Sequence, residues 1–471
     1  MGLTQIAASI LTSILVGALT RGTRRTYSLL ALSVLAIYWF QPVVPLRYFD
    51  FWFPSLSITF VIITWFITST SGAWKAKQNL IGLLIVIGIV TLVELTRYIF
   101  SDAVLTATLP PNIFQYLIFL FAITAITLFY SFLSRRFAWT LSIATLLILA
   151  ILVILKAPQL SLQTSIFFRE LANRPTDAAS PLDLRWLGFS YIAFRLIHVL
   201  RDKKTGRLPE LSLPEFSTYV IFFPTLAAGP IDRAERFVKD LQKEFALKQD
   251  DLLIAGQRIA LGLFKKFVIA DLLALIALND ALAVQARTTG WMWVHLYAYA
   301  FQIYFDFSGY TDIAIGIGYL VGIKLPENFL SPYTKPNITQ FWNSWHITLT
   351  QWIRSYFFNP FNRWIRRYKS IPAWTMILIG QLATMLLIGL WHGITWNFLL
   401  WGAWHGLGLF VQNRWSGFAK TRINPTNPRM QAALQIGGVL LTFHFVALGW
   451  VFFALSEPLL SQTVFMKLFG F

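Results

Sequence analysis

Two histidines, each followed by glycine, lie inside strongly apolar sequence in the stretch LLIGLWHGITWNFLLWGAWHG, residues 386–406. Polar side chains cost free energy in hydrocarbon unless they are satisfied, and they usually mark functional positions. An imidazole has an ordinary pKa of about 6.5 and accepts protons readily at neutral pH. His392, between Trp391 and Gly393, is therefore a candidate general base, and Gly393 would let backbone or substrate approach closely.

A third histidine, His346, lies in FWNSWHITLTQWIRSYFF. Helical spacing places Trp342, His346 and Leu349 on one face of a predicted amphipathic helix, with Asn343 on another face. Such a helix would lie at the membrane interface. It does not by itself explain a histidine on the apolar face, so a functional and a structural role both stay open for His346.

Carboxylates occur within apolar sequence at FDFSGYTD. Asp306 and Asp312 are six positions apart, which at about 100° per residue places them on different helical faces, so we do not interpret them as a paired acid and base. With Ser308 and Tyr310 they could orient a histidine or line a polar cavity. The alternative is that they cap and hold together a broken helix.

The remaining histidines give weaker signals. His405 would face away from His392 on a single helix, and no carboxylate stands at ligand spacing, so no metal site is expected. We expect His198 as a solvated residue at the membrane interface, His295 as an anchor at that interface and His444 as a hydrogen-bonded buried residue. The chain has no cysteine, which excludes a thiolate nucleophile and an acyl-cysteine intermediate.

The elements that position these residues must lie in a membrane. The chain is 56% hydrophobic and 13% charged, whereas soluble domains carry about 25% charged residues. Apolar runs long enough to cross a bilayer recur, and we expect the first to be a retained span. The clearest are residues 4–20, 27–45, 51–70, 79–99, 113–133 and 138–155. The sequence therefore predicts an all-α polytopic membrane protein.

The formal net charge of +18 arises largely from basic residues in short loops. Such clusters mark cytoplasmic loops, so no nucleic-acid partner is expected. They follow the odd-numbered spans, at Arg21, Arg24, Arg25, Lys75, Lys77, Arg135, Arg136, Arg201, Lys203, Lys204 and Arg207. This alternation predicts an outward N-terminus and an external loop at 157–184.

The second half of the chain has an irregular pattern. The run 219–230 is short and contains Pro224 and Gly229-Pro230, which predicts a segment that enters the membrane and returns. The run 291–323 would span roughly 50 Å as one helix, and we expect it to be broken or kinked at FDFSGYTD. Irregular backbone at membrane depth is tolerated only where protein or a water-filled cavity covers it.

Several long motifs together resemble the membrane-bound O-acyltransferase family. They are FFPTLAAGPIDRAERF, FQIYFDFSGYTDIAIGIGYLVGIKLPENFLSPY, ITQFWNSWHITLTQWIRSYFF, GLWHGITWNFLLWGAWHG and GWVFFALSEPLLSQTVFMKLFG. The similarity is greatest to the bacterial branch of alginate O-acetyltransferase membrane subunits and teichoic-acid D-alanyl transfer proteins. It runs from about residue 185 to the C-terminus, while the first 180 residues match only as a hydrophobic pattern.

The resemblance implies an architecture and a site. It implies one membrane domain over residues 1–471, with N-terminal spans at 1–180 and a catalytic core at 185–471. About eleven transmembrane helices, with re-entrant and interfacial helices, would surround a central pore. The family's catalytic histidine falls on His392 and its second active-site histidine on His346, while His405 would be structural.

The resemblance also implies a reaction. His392 would act as general base on an acceptor hydroxyl, while His346 with Asn343 would position the reacting groups or stabilise the oxyanion. No cofactor would be bound. The donor would be a cytoplasmic thioester, acetyl-CoA or an acyl carrier protein, and the acceptor an exported polysaccharide or a partner acetyltransferase outside a bacterial inner membrane.

Other functions stay open. We favour acetyl transfer over D-alanyl transfer towards teichoic acid. A transporter would also have broken helices and intramembrane Asp and His, but it would predict repeat symmetry, which the sequence lacks. A non-catalytic assembly subunit is the last alternative, and the presence of both family histidines argues against it.

Overall fold

The structure is a computed structural model that describes residues 2–137, 139–422 and 427–471. Within these residues every regular element is helical, apart from one isolated antiparallel β-bridge between Phe329 and Trp345. The predicted all-α class is therefore confirmed. The side chain of Arg135, one of the predicted loop cations, lies outside the described set.

The chain divides into two compact units. Unit 1 comprises Met1–Ile259 and Ile313–Pro326, and unit 2 comprises Ala260–Asp312 and Glu327–Phe471. Every candidate site residue lies in unit 2. The expected division of one membrane domain into spans at 1–180 and a core at 185–471 stays a prediction.

Unit 1 begins with helices that match the predicted apolar runs. α2 ends earlier than expected because Pro42 and Pro45 follow it and cannot continue a helix. The predicted loop 157–184 contains a helix, α7, which bends by 95° from α6. The helices are α1 (Leu3–Leu19), α2 (Gly22–Trp39), α3 (Phe49–Thr68), α4 (Lys77–Ile99), α5 (Ile113–Arg136), α6 (Thr140–Lys156), α7 (Pro158–Leu171), α8 (Phe189–Lys204), α9 (Leu213–Ile221) and α10 (Ala234–Gln242).

The segment that the sequence predicts to enter and return is short and broken. α9 has nine residues, so at about 1.5 Å per residue it is too short to cross the hydrocarbon core. Pro224 lies in a single 3₁₀ turn directly after it. Buried Arg195 donates to the carbonyl oxygens of Val220 (2.8 Å) and Thr225 (3.1 Å) and thereby satisfies the interrupted backbone.

Unit 2 contains the longest helices and the shortest ones. Two π-helical segments, Lys265–Ala270 and Arg354–Phe358, interrupt its helical runs. Helices α11 and α14 contribute residues to both units. The helices are α11 (Gln249–Phe264), α12 (Asp271–Ala274), α13 (Asp280–Gln285), α14 (Thr289–Leu320), α15 (Ile338–Trp342), α16 (Ile347–Ile353), α17 (Asn359–Ile365), α18 (Ala373–His392), α19 (Trp396–Arg422), α20 (Pro428–Ala454) and α21 (Pro458–Leu468).

A break in the run 291–323 is ruled out, because α14 is a continuous helix of 32 residues, while the alternative of a kink stays a prediction. The carboxylates of FDFSGYTD do not cap a broken end. They pair instead with lysines of the first π-helical segment, Asp312 with Lys265 (2.6 Å) and Asp306 with Lys266. α14 therefore stays helical through FDFSGYTD. Its two carboxylates are neutralised by lysines of another segment, which the local sequence pattern does not reveal.

Five helices within the described residues are long and apolar enough to cross a membrane: α3, α4, α5, α18 and α20. The bent pair α6 and α7 would make a sixth span, and α1 is a shorter apolar helix. The predicted number of about eleven transmembrane helices is not confirmed. α18 ends at His392, so the candidate base lies at one end of a spanning helix.

Candidate active site

His346 occupies a turn rather than the middle of a helix. α15 ends at Trp342 and α16 begins at Ile347, with His346 between them in the left-handed conformation (φ 43°, ψ 54°). The expectation of a single amphipathic helix through this segment is therefore wrong. A side chain with a Cβ rarely adopts this backbone conformation, which clusters at functional sites where surrounding structure enforces it.

Backbone pairing with residues 328–330 enforces the turn. The β-bridge joins Phe329 to Trp345, and Leu330 N–H donates to the carbonyl of Ser344 (3.0 Å). Ile347 N–H donates to the carbonyl of Asn328 (3.0 Å). The segment around His346 thus forms a two-stranded contact with PENFL, and this non-local pairing replaces the helical hydrogen bonds.

The His346 imidazole is buried, with 3% of the residue exposed. The edge of the Phe307 ring packs against it, at a centroid distance of 4.7 Å. Neither ring nitrogen has a hydrogen-bond partner among the described residues. His346 lies outside the helices that could span the membrane, and burial lowers its pKa to about 3. The neutral ring offers one N–H donor and one nitrogen acceptor to a reacting group.

His392 is the last residue of α18 and precedes a turn of three residues before α19. Its ring lies among Phe398, Trp401 and Phe453, at centroid distances of 5.9, 5.7 and 4.7 Å. A Cβ on Gly393 would come within 2.7 Å of the Phe398 ring, so this glycine allows a close approach of a protein side chain. His392 itself is half-buried.

Trp391 is the common neighbour of the two histidines. The centroid of its indole lies 6.3 Å from that of His346 and 4.5 Å from that of His392. The structure therefore places both predicted histidines around one aromatic ring, although they are 46 positions apart in the sequence. A half-buried imidazole and a buried neutral one, both in contact with Trp391, are side chains that can transfer a proton and donate to a developing oxyanion.

Asn343 lies apart from this arrangement. It is exposed, and its Oδ1 accepts a hydrogen bond from the Arg354 guanidinium (2.8 Å). The described contacts do not bring it to His346, from which the turn separates it. Its supporting role stays a prediction.

The predicted polar residues of α14 lie close in sequence to Phe307, the residue of this helix that contacts His346. Phe307, which contacts His346, stands between Asp306 and Ser308. Ser308 and Tyr310 are buried, and Ser308 Oγ has no hydrogen-bond partner among the described residues. Lys265 and Lys266 were not predicted from the sequence, although two adjacent lysines within the apolar run LGLFKKFVIA are a usable signal.

Trp401 connects His392 to His405. Its ring centroid lies 5.7 Å from His392 and 4.9 Å from His405, which is fully buried. Trp342 packs edge-on to His405 at 5.2 Å. Trp342 and Trp401 thus join the rings around His392 and His405 into one aromatic cluster. The sequence patterns did not show that these two tryptophans contact the histidines.

The other histidines have protein partners. His198 is buried and bonded to Tyr219 and Asp202, so the expected solvated position is wrong. His295 Nδ1 lies 2.7 Å from the carbonyl of Ile276. His444 lies 2.9 Å from the Tyr297 hydroxyl, as expected of a hydrogen-bonded residue, but it is half-buried and not buried. No group of three His, Asp or Glu side chains in the described part of the chain could hold a metal ion.

Comparison with known proteins gives several related matches. A teichoic acid D-alanyltransferase of Bacillus subtilis is 34% identical over 278 residues, 58% of this chain and 69% of that protein. A Pseudomonas aeruginosa protein named probable alginate O-acetylase is 35% identical over 289 residues, 60% of this chain and 52% of that protein. A peptidoglycan O-acetyltransferase of Helicobacter pylori is 37% identical over 244 residues, 51% and 43% of the two chains. The match thus spans about half the length of the latter two relatives.

The family model of the membrane-bound O-acyltransferases matches residues 181–456, more than half of the chain. The matched part includes both histidines around Trp391. The chain therefore belongs to the membrane-bound O-acyltransferase family, and it is a multi-pass membrane acyltransferase.

Proposed function

We propose that this protein moves a small acyl group, with acetyl as our first choice, from a cytoplasmic thioester to hydroxyls of an exported cell-surface polysaccharide. The observation that carries the proposal is the pair of histidines around Trp391, one half-buried and one fully buried without a hydrogen-bond partner among the described residues. Relatives named for O-acetylation of alginate and of peptidoglycan support the acetyl group and the polysaccharide acceptor.

In this proposal His392 is the general base. It removes the proton of the acceptor hydroxyl, and the oxygen attacks the carbonyl carbon of the thioester. The carbon–sulfur bond then breaks, and the departing thiolate takes the proton from His392. His392 lies at the end of α18 and is half-buried, so part of the residue is accessible.

His346 acts on the carbonyl oxygen in the same proposal. Its neutral ring can donate one N–H to the oxygen that becomes negative as the acceptor adds. Phe307 of α14 contacts this ring, and the supporting residues Asp306, which pairs with Lys266, Ser308 and Tyr310 lie next to it in the sequence. Asn343, which accepts from Arg354, is proposed as a further supporting residue. No bound cofactor is needed, because the thioester itself supplies the activated acyl group.

The proposed surroundings follow from the charge pattern and the family. The donor, acetyl-CoA or an acyl carrier protein, would approach the basic cytoplasmic loops, and the polysaccharide or a partner acetyltransferase would act outside. We place the protein in a bacterial inner membrane with its N-terminus outside.

The alternative is D-alanyl transfer from a carrier protein towards teichoic acid. A specific observation favours it: the teichoic acid D-alanyltransferase of Bacillus subtilis is 34% identical and is matched over 69% of its length. The basic loops would suit an acidic carrier protein, but positive-inside topology alone produces the same charge pattern. The charge of the loops therefore does not discriminate between acetyl and D-alanyl transfer.

Deletion of the gene followed by mass spectrometry of base-labile esters on the surface polymers tests the choice. We expect loss of acetyl esters, restored by the wild-type gene and not by a His392→Ala copy. Loss of D-alanine with acetyl esters unchanged would contradict acetyl transfer and establish the alternative.

A further inference from the structure

Asn328 lies directly across from the His346 turn and is fully buried. Its carbonyl accepts from the N–H of Ile347 (3.0 Å), the residue that follows His346. Its side-chain Oδ1 accepts from the hydroxyl of Thr348 (2.6 Å) and from the Thr348 N–H (3.3 Å). Both the backbone and the side chain of Asn328 are therefore fixed against the first residues of α16.

These contacts determine which way the amide faces. A backbone N–H can only donate, so the atom that faces Thr348 N must be the carbonyl oxygen of the amide. The Nδ2 group consequently points elsewhere with its two N–H donors. Nδ2 has no hydrogen-bond partner among the described residues, although it is buried.

His346, the residue before Ile347, also has buried polar atoms without a hydrogen-bond partner within the described chain. These atoms are its two ring nitrogens. Buried polar groups are normally hydrogen-bonded, and leaving a donor unpaired is destabilising. Two such groups, one on each of the two segments that pair at this turn, indicate that a ligand atom supplies the missing acceptor.

The geometry points to Asn328 as a further catalytic residue, whose Nδ2 donates a hydrogen bond to the carbonyl oxygen of the thioester. Nδ2 can only donate, so it cannot act as the base. A donor on the attacking oxygen would also weaken its nucleophilicity. The carbonyl oxygen gains negative charge as the acceptor oxygen bonds to the carbonyl carbon and loses it when the carbon–sulfur bond breaks.

This inference rests on the proposed acyl transfer but not on the identity of the acyl group. Acetyl and D-alanyl thioesters share the same carbonyl oxygen. Asn328 and His346 together would supply two donors, which is the usual composition of an oxyanion site. The PENF sequence would then both shape the His346 turn and contribute to the reaction.

The test compares Asn328→Asp and Asn328→Ala with wild-type protein in proteoliposomes, using labelled acetyl-CoA and, in parallel, a carrier protein loaded with labelled D-alanine. Asn328→Asp keeps the Oδ1 acceptor for Thr348 but removes the donors. We expect both variants to lower kcat about 10²–10³-fold while the KM for the donor stays close to wild type. Thr348→Val, which removes one contact to Oδ1 and leaves Nδ2, should have a much smaller effect.

Asn337→Asp is the matched control. Asn337 is the N-cap of α15 and accepts from Gln340 N–H (2.9 Å), a role that aspartate fulfils equally well. A wild-type kcat in folded Asn328→Asp and Asn328→Ala would overturn the inference, as would an equal loss in Thr348→Val. If neither Asn328 variant folded, Asn328 would be a residue needed for folding, and this result would likewise overturn the inference.

The same assay separates this inference from the proposed function. Transfer by the wild type that is lost in His392→Ala supports the proposed function whatever the Asn328 variants do. Absence of transfer of either acyl group by the wild type would contradict the proposed function itself.

Discussion

At the scale of single residues, two variants of His346 distinguish a role of its backbone conformation from a role of its imidazole in the reaction. The left-handed conformation costs a residue with a Cβ roughly 1–2 kcal/mol, whereas glycine adopts it freely. We expect His346→Ala and His346→Gly both to lose transfer about 10²-fold or more. The glycine variant should be at least as stable as the alanine variant, as measured by thermal unfolding in detergent.

The two variants of His346 have distinct outcomes. If His346→Gly regained transfer, the residue would matter for its backbone conformation and not for its imidazole. Near-normal transfer in both variants would contradict the assignment of His346 to the site.

His405 is expected to stabilise the aromatic cluster and not to react. It is fully buried against Trp342 and Trp401, so truncation leaves a cavity. His405→Ala should lower the free energy of unfolding by about 2–4 kcal/mol while each folded molecule keeps near-normal transfer. A stably folded His405→Ala protein without transfer would show that His405 takes part in the reaction and is not only structural.

Residue types predicted part of the site. An imidazole in apolar sequence made His392 a candidate from its residue type, whereas for His346 the residues left two roles open and the family resemblance was needed to choose between them. Asn328 could not be identified in this way, because its importance lies in contacts with Thr348 and Ile347 about 20 positions away. Lys265 and Lys266 were missed for the same reason, since their partners lie 40 or more positions away.

At the scale of elements, the pairing of Lys265 with Asp312 is expected to anchor the π-helical segment to α14. Asp312 is 5% exposed and Lys265 19%, so the pair is largely withdrawn from solvent. Removing one partner leaves a buried charge, and Lys265→Met should cost about 3–5 kcal/mol of stability. The double variant Lys265→Met/Asp312→Leu should recover most of this loss in thermal unfolding measurements. Wild-type stability of the single variant would show that the pair does not anchor the helix.

Element boundaries were predictable where the signal is local. Apolar runs gave the helices up to α6, and proline explains the early end of α2. The single helix predicted around His346 and the break predicted at FDFSGYTD are both absent from the structure. The first segment has helical periodicity but is unwound by pairing with residues 328–330, whereas the second segment has breaking features but stays helical because its carboxylates are paired.

At the scale of the whole molecule, the membrane topology is still a prediction from loop charge. Because the chain has no cysteine, single introduced cysteines can be labelled without background. Ala76→Cys and Lys204→Cys, both at exposed positions, should react with an impermeant maleimide only after the membrane is permeabilised. Asp177→Cys, in the predicted external loop, should react in intact cells. Labelling of position 76 or 204 from outside would overturn this orientation.

We expect the membrane protein itself to transfer the acyl group, with His392 as general base. The most direct measurement of this transfer uses purified protein in proteoliposomes without an ion gradient, supplied with a labelled acyl thioester and a hydroxyl acceptor. We predict that the wild type forms labelled ester and that His392→Ala, inserted and folded to the same level, forms none above background. Ester formation by His392→Ala at the wild-type rate would contradict this account.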